Sequence, residues 1–220
     1  MALLTKAQVR TAVMQAIDDP NNKRWSSANL DILIGMVGDM LWSSVLDSYE
    51  YATSYDQTVT PAAGGLIDTT GLTKRFYRAQ KVLRVSDSKY AQARRPEEAV
   101  PQLSYYQSGI NIVTDPAVTG ASSVTLTYGY LPTNFNALSA DGTSLPTEFP
   151  EGHELALVYL SAAAALIKGG AEDMGQVGRL ADAAVDAFLA HISRRAPTST
   201  QQRAAYVKNM IMSHPLVSGR

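Results

Sequence analysis

The fold of the chain is decided by the stretch LPTEFPEGHELALVYLSAAAALIKGGAED, residues 145–173. Its first ten residues are typical of the beginning of a helix, because Thr147 can cap it and acidic side chains are favourable in a first turn. From Leu155 to Ile167 nearly every residue is apolar, which predicts a helix buried on more than one face. Gly169 and Gly170 then favour a left-handed stop.

A second helix is predicted directly after this stop and extends to about Arg195. Its apolar residues recur at spacings of three and four: Met174, Val177, Leu180, Ala181, Ala184, Val185, Phe188, Leu189 and Ile192. Because the link is so short, the two helices are expected to be antiparallel neighbours.

Two further helices are predicted at the N-terminus. Val9, Val13 and Ile17 form one apolar stripe, and a turn at 18–22 ends this first helix. A serine in the sequence Arg24-Trp25-Ser26-Ser27 caps a second helix, from about Ala28 to Asp47. Gly35 and Gly38 within that helix predict a close contact with another helix.

The middle of the chain, residues 51–130, is rich in Val, Thr, Tyr and Ser and is punctuated by Pro and Gly. The predicted strands are Thr53–Thr60, Leu66–Asp68, Phe76–Ser86, Tyr105–Gln107, Ile110–Thr114 and Val124–Tyr130. Since no helical pattern separates them, we expect an antiparallel sheet or small barrel inserted between the helix pairs.

The predicted fold class is therefore α+β: an antiparallel helical bundle with an inserted antiparallel β domain and a C-terminal tail. Residues 1–50 and 145–195 form the predicted bundle, residues 51–144 the inserted β-rich domain with its loop, and residues 196–220 the C-terminal extension.

Composition limits the possible classes of protein. The 220 residues are 45% hydrophobic and 18% charged, enough to bury a sizeable core. The absence of cysteine excludes disulfides and thiolate metal sites and fits a reducing compartment. No signal peptide is recognisable, and the longest apolar run is short and alanine-rich, so we expect no membrane partner.

Charge is segregated along the chain, although the formal net charge is only −1. Residues 74–95 carry eight basic residues and one acidic residue, whereas residues 139–190 carry two basic and eight acidic residues. Complementary self-association, an anionic partner, or solvated faces that merely differ in sign would each explain this pattern.

The basic segment is the candidate site for contact with DNA or an acidic neighbour, with aromatic residues between its cations as in a stacking surface. No helix-turn-helix or other known signature accompanies it, so non-specific exposure to DNA or pairing with an acidic neighbour is favoured over sequence-specific binding. The candidate residues are Lys74, Arg75, Arg78, Lys81 and Arg84.

The C-terminal segment follows a linker at 197–200 and contains a short basic amphipathic helix from Arg203 to Met212. Apolar groups on a detached tail usually need a partner surface, which makes this segment a candidate for partner binding. Its candidate contact residues are Arg203, Tyr206, Lys208, Met210, Ile211, Met212, Leu216 and Val217.

The sequence contains no recognisable active-site motif. The sequence has no phosphate loop, no dinucleotide-binding fingerprint, no Gly-x-Ser-x-Gly elbow and no thiol nucleophile. His153-Glu154 begins like a zinc-protease motif, but Leu157 stands where the second histidine should be. His191 and His214 are predicted to be ordinary surface or tail residues. We therefore expect no catalytic, cofactor or metal site.

The order of these parts resembles a known family. The turn Arg24-Trp25-Ser26-Ser27, the β-rich insertion, the sequence Leu145-Pro146-Thr147-Glu148-Phe149 before an alanine-rich helix, the ending Ile192-Ser193-Arg194-Arg195 and the basic tail carry the resemblance. Over about the whole chain, they are similar to the head-to-tail adaptor proteins of tailed bacteriophages, in particular the podophage-like type with a β domain inserted into a helical bundle.

The resemblance implies a virion protein made in the host cytoplasm and placed in the neck, between head and tail. It implies a ring of twelve copies beneath the portal protein, which lengthens the DNA channel and offers a platform to a tail or nozzle protein. The C-terminal segment would then contact the portal, and the basic segment would lie near genomic DNA.

Two alternatives remain open at the level of sequence. A tail-completion or stopper protein would also lack catalytic residues and would differ mainly in symmetry and contact surfaces. A small enzyme or nucleic-acid-binding regulator, from a different class, would be favoured by a cleft that holds Glu148, Glu151 and His153 with an ion or ligand.

Overall fold

The computed structural model describes residues 3–19, 21, 23–49, 52–95, 103–108, 111–115, 123–171, 174–195 and 201–218. The chain divides into two compact units. The helical unit comprises Met1–Ala52 and Pro132–Arg220, and the sheet unit comprises Thr53–Leu131. The described residues form six helices and a curled seven-stranded sheet, so the fold class is α+β, as the sequence predicts.

All six of the described helices lie in the helical unit. These are α1 (Lys6–Ala16), α2 (Ser27–Ser48), α3 (Leu155–Lys168), α4 (Gly175–Arg195), α5 (Gln201–Ser213) and α6 (Pro215–Ser218). Helix α2 begins at the serine turn that the sequence predicts, and both N-terminal helices have a side-chain cap. Thr5 forms a capping box with Gln8, and the Ser26 side chain accepts a hydrogen bond from the Asn29 backbone N–H.

The segment before α3 corrects one prediction. Residues 145–154 do not begin a helix, and Thr147 lies in a turn. The Leu145 backbone N–H donates to the Leu4 carbonyl, and Ser144 pairs with Thr5 in an antiparallel bridge. Pro146 and Pro150 cannot donate backbone hydrogen bonds, so this segment is held by the N-terminus instead, and α3 begins only at Leu155.

The core of the helical unit is built around α3. Its four alanines, 162–165, are all buried and let α4 pack closely against it. The Trp42 ring of α2 meets Phe149 and Phe188 edge-on, with ring centroids 5.5 and 5.6 Å apart. Gly170 adopts a positive φ of 83° after α3 and supplies the predicted left-handed stop.

Helix α2 is, among the described residues, long and apolar enough by length and composition to cross a membrane. However, 67% of its apolar window is buried within the protein, and buried core helices of soluble proteins meet the same criterion. Its burial against α3, α5 and the 3₁₀ turn at Phe135–Ala137 accounts for its composition.

The sheet unit contains β1 (Tyr55–Val59), β2 (Leu66–Asp68), β3 (Arg75–Arg84), β4 (Lys89–Ala93), β5 (Ser104–Ser108), β6 (Asn111–Asp115) and β7 (Val124–Leu131). Their order in the sheet is β1-β7-β3-β4-β5-β6-β2. All described pairs are antiparallel except β4 with β5, which is parallel and departs from the predicted all-antiparallel sheet.

One face of this sheet encloses a hydrophobic core. Val124, Leu126 and Tyr128 alternate along β7 and are fully buried there, as their spacing predicts. The remaining buried members come from the other strands: Ile67, Ala79, Val82, Ala91, Tyr105 and Ile112. The opposite, outward face carries the intervening residues of β7, beginning with Thr125 and Thr127.

Candidate functional site

The C-terminal segment is not a detached tail in this structure. Helix α5 packs against α2 and α4, and α6 packs against α3. Val207 and Ile211 lie four residues apart on one face of α5, and both are fully buried, as is Val217 of α6. The partner surface that these apolar groups require is therefore the chain's own helical unit.

The candidate portal-contact residues divide according to this packing. Ile211 and Val217 face the interior, whereas Lys208, Met210, Met212 and Leu216 are half-buried. Arg203 and Tyr206 belong to α5, but their side chains lie outside the described residues. The half-buried apolar members are thus the ones that a partner can reach without unfolding the segment.

Lys208 fastens α5 to α4 through two carboxylates. Its Nζ lies 2.7 Å from Asp186 Oδ2 and 3.0 Å from Asp182 Oδ1. The hydrogen bond to Asp186 is the main reason that the pKa of Lys208 is raised, with Asp182 adding to it. This part of the basic tail is therefore neutralised by acidic residues of the same chain.

Two β-bulges in β3 determine which of the five basic candidates of the sheet unit share a face of the sheet. The pairing of β3 with β7 shifts between Phe76 and Arg78 and again between Ala79 and Lys81. In a regular strand, residues three apart point to opposite faces. Because each bulge inserts one extra residue, Arg75, Arg78 and Lys81 stand opposite Leu131, Gly129 and Thr127, which share the outward face.

The second bulge is secured by hydrogen bonds to its extra residue, Gln80. The Tyr105 hydroxyl donates to the Gln80 backbone carbonyl at 3.2 Å, and the Ser54 hydroxyl donates to its side-chain carbonyl at 2.9 Å. Tyr105 is itself buried in the sheet core. The bulge is therefore a fixed feature of the sheet, anchored from inside and at its surface.

Lys74 and Arg84 are placed elsewhere. Lys74 precedes β3, and its Nζ lies 5.2 Å from the centre of the Tyr130 ring. Arg84 stands opposite Val124, on the core side of the strand, and its Nε donates to Asp87 Oδ1 at 2.9 Å. This pairing raises the pKa of Arg84 and lowers that of Asp87 to about 2.

Two of the three histidines lie close together in the helical unit. His153 packs against His191, with ring centroids 4.8 Å apart, so His191 is half-buried and not the surface residue that was predicted. Within the described ranges, no group of three or more His, Cys, Asp or Glu side chains could hold a metal ion.

An apolar groove of about 390 Å³ lies among α1, α3 and α4. Among the described residues, its lining carries no charged side chain. Its lining consists of Ala12, Gln15, Ala16, Leu155, Val158, Tyr159, Gln176, Val177 and Leu180.

Comparison with known proteins identifies the family. The family model described as SU10 adaptor protein matches residues 4–209, nearly the whole chain. The match includes the sheet unit, the first four helices and α5 as far as Asn209. None of the curated proteins matches the chain. The chain belongs to the SU10 adaptor protein family and is a structural adaptor protein of a bacteriophage, a component of the head-to-tail region of the virion.

Proposed function

We propose that the chain assembles, with further copies of itself, into a ring beneath the portal. In that position it lengthens the DNA channel and provides the platform to which a tail or nozzle protein attaches. The match of the adaptor family over residues 4–209 carries this proposal, because it spans both units and extends into α5. We further propose twelve copies, the podophage-like arrangement and synthesis in the host cytoplasm, all from the resemblance of the sequence.

The proposed role is structural and not enzymatic. An adaptor joins surfaces that already exist, so it requires shape and charge complementarity and no reacting group. The match of the adaptor family over residues 4–209 supports such a role. Genomic DNA lies close to the ring in this arrangement, and no membrane is involved.

The portal contact is proposed to lie on α5 and α6. The half-buried side chains of Met210, Met212 and Leu216 offer apolar surface on two adjoining helices, and flexible methionines adapt readily to a partner. Ile211 and Val217 would join the contact only if α5 and α6 separated from the unit, since both are buried.

A binding experiment with the purified portal complex of the same phage tests this contact. The triple variant Met210→Ser, Met212→Ser and Leu216→Ser is expected to lose co-sedimentation with the portal and to keep its fold by circular dichroism. The matched control is Ile32→Ser with Met36→Ser, because these side chains of α2 are 49% and 46% exposed. Portal binding that survives in the triple variant and disappears in the control would place the contact on α2 instead.

A further inference from the structure

Three cations form a row on the outward face of the sheet unit. Arg75, Arg78 and Lys81 are all exposed, and each stands two β7 residues from the next. At about 3.3 Å per strand residue, neighbouring cations project from backbone positions about 6.6 Å apart. Consecutive phosphates of a nucleic-acid strand are joined through six covalent bonds. The distance that these bonds span is comparable to the spacing of the cations.

Hydroxyl groups accompany the row along the neighbouring strands. Thr127 and Thr125 continue the outward face of β7, and Thr58 of β1 stands opposite Thr125 with their hydroxyl oxygens 3.2 Å apart. Threonine hydroxyls donate hydrogen bonds to phosphate oxygens in nucleic-acid complexes. Gly129, opposite Arg78, adds no side chain that would obstruct a strand lying beside the row.

An exposed aromatic ring lies on the other side of the row. Tyr90 of β4 stands opposite Leu83, which shares the outward face of β3 with the cations, and Tyr90 is 64% exposed. Exposed aromatic rings beside cationic strands are the usual stacking platforms for unpaired bases. In the paired positions of β1, β3, β4 and β7, this face carries one acidic residue, Asp56.

We infer that this outward face binds the sugar-phosphate backbone of a nucleic acid without regard to sequence, through Arg75, Arg78 and Lys81. Two of the three cations are arginines, whose planar guanidinium suits phosphate oxygens. A regular spacing, nearby hydroxyls and an exposed ring match a phosphodiester backbone better than an acidic peptide, which would use only the charges. The two bulges create the site, because without them the three cations would alternate between the faces of β3.

This inference goes beyond the proposed adaptor function and is tested without a portal. The full chain is titrated into a fluorescein-labelled single-stranded 20-mer and the corresponding duplex, and fluorescence anisotropy is measured at several salt concentrations. The affinity is expected to fall as salt rises, because binding releases counterions from the phosphates.

The decisive variant is Arg75→Gln, Arg78→Gln and Lys81→Gln in combination. It is expected to bind at least about tenfold more weakly at low salt, and the slope of log K against log salt should shrink by up to about 2–3 for three lost phosphate contacts. The control combines Lys23→Gln, Lys168→Gln and Arg179→Gln, three exposed cations of the helical unit, with the same change in net charge. This control is expected to bind within about twofold of the unaltered chain.

A second variant controls for structural damage to the sheet. Arg75→Lys with Arg78→Lys keeps the charges and should retain most of the affinity, which a structural role of the arginines would not predict. Failure of the unaltered chain to bind at low salt, or equal losses in the row variant and its control, would overturn the inference. Equal competition by polyglutamate at matched charge would also overturn it and would indicate an acidic protein partner. None of these results bears on the proposed portal contact.

Discussion

The guanidinium of Arg10 donates two parallel hydrogen bonds to the carboxylate of Asp31, each 2.8 Å long. This pair joins α1 to α2, and the Asp31 side chain is only 9% exposed. Lys6 Nζ lies 3.3 Å from the same carboxylate, so one acid serves two largely buried cations. The hydrogen bonds to Asp31, chiefly, raise the pKa of Arg10.

Replacement of Asp31 by Ala is expected to destabilise the protein by about 3–5 kcal/mol, because it leaves the largely buried cations of Lys6 and Arg10 without the carboxylate that they share. Urea unfolding followed by circular dichroism measures the loss. Asp141→Ala is the control, since Asp141 also contacts Arg10 but its side chain is 65% exposed, and its removal should cost less than about 1 kcal/mol. Equal losses in the two variants would contradict the assignment of Asp31 as the centre of this cluster.

The two glycines of α2 are expected to respond oppositely to substitution by alanine. A Cβ on Gly35 would overlap the side-chain oxygen of Asn134. The Asn134 side chain is held in place because its Nδ2 donates to the Gly35 carbonyl and to Asp39 Oδ2. Gly35→Ala should therefore destabilise the protein. A Cβ on Gly38 would meet Leu157 at an ordinary 3.5 Å, so Gly38→Ala should stabilise by about 0.5–1 kcal/mol through helix propensity. Thermal unfolding of both variants would refute this geometry if their melting temperatures moved together.

The turn between α1 and α2 should be sensitive to acid. The Asp19 carboxylate accepts hydrogen bonds from the backbone N–H groups of Lys23, Arg24 and Trp25 at 2.9–3.1 Å. Desolvation alone would raise the pKa of Asp19, but these bonds outweigh it and the pKa is lowered. A lowered pKa contributes stability above the unfolded value of about 3.9, and this contribution is lost as the pH falls through the folded value.

Asp19→Asn cannot titrate, so below about pH 4 its melting temperature should fall less steeply than that of the unaltered chain. Melting temperatures measured from pH 7 to pH 2 compare the two proteins. Other carboxylates with lowered pKa, such as Asp141 and Asp68, remain in both and cancel in the difference. Parallel curves would show that Asp19 does not hold the turn through its charge.

The C-terminal helices are expected to be part of the stable core. Ile211→Ala removes a fully buried side chain and should cost about 2–5 kcal/mol. Asn209→Ala, at an exposed position of the same helix, should change stability little and controls for helix propensity. If denaturant unfolding gave the same midpoint for both variants, α5 would not be docked in the free protein.

Local signals in the sequence predicted most of the helices. The apolar spacing along α1, α2 and α4 repeats with the helical period, and Ser26 and Gly170 mark boundaries through their own backbone preferences. The prediction that residues 145–154 begin a helix was wrong, because the acidic residues and Thr147 are also compatible with a turn. What fixes it is the pairing of Leu145 with Leu4, a long-range contact that no local pattern contains.

Two features of the sheet unit were harder to predict. One is a strand with few buried residues, and the other is the face that a residue occupies when this depends on the register between strands. Strand β4 was missed because Ala91 is its only buried residue, so the five-residue strand shows no hydrophobic alternation. The spacing of Arg75, Arg78 and Lys81 was visible in the sequence, but a shared face follows only from the two shifts in pairing with β7. The packing of His153 on His191 likewise joins residues from separate segments.

Electron microscopy of the portal vertex tests the proposed function most directly. Purified chain is mixed with portal-bearing particles of the same phage that lack a tail, and the vertex is imaged with and without it. The account predicts added density as a closed ring beneath the portal, with α5 and α6 against the portal surface and the central channel open. An unchanged vertex, or density that closes the channel or lies apart from the portal, would contradict it and favour a stopper or tail-completion role.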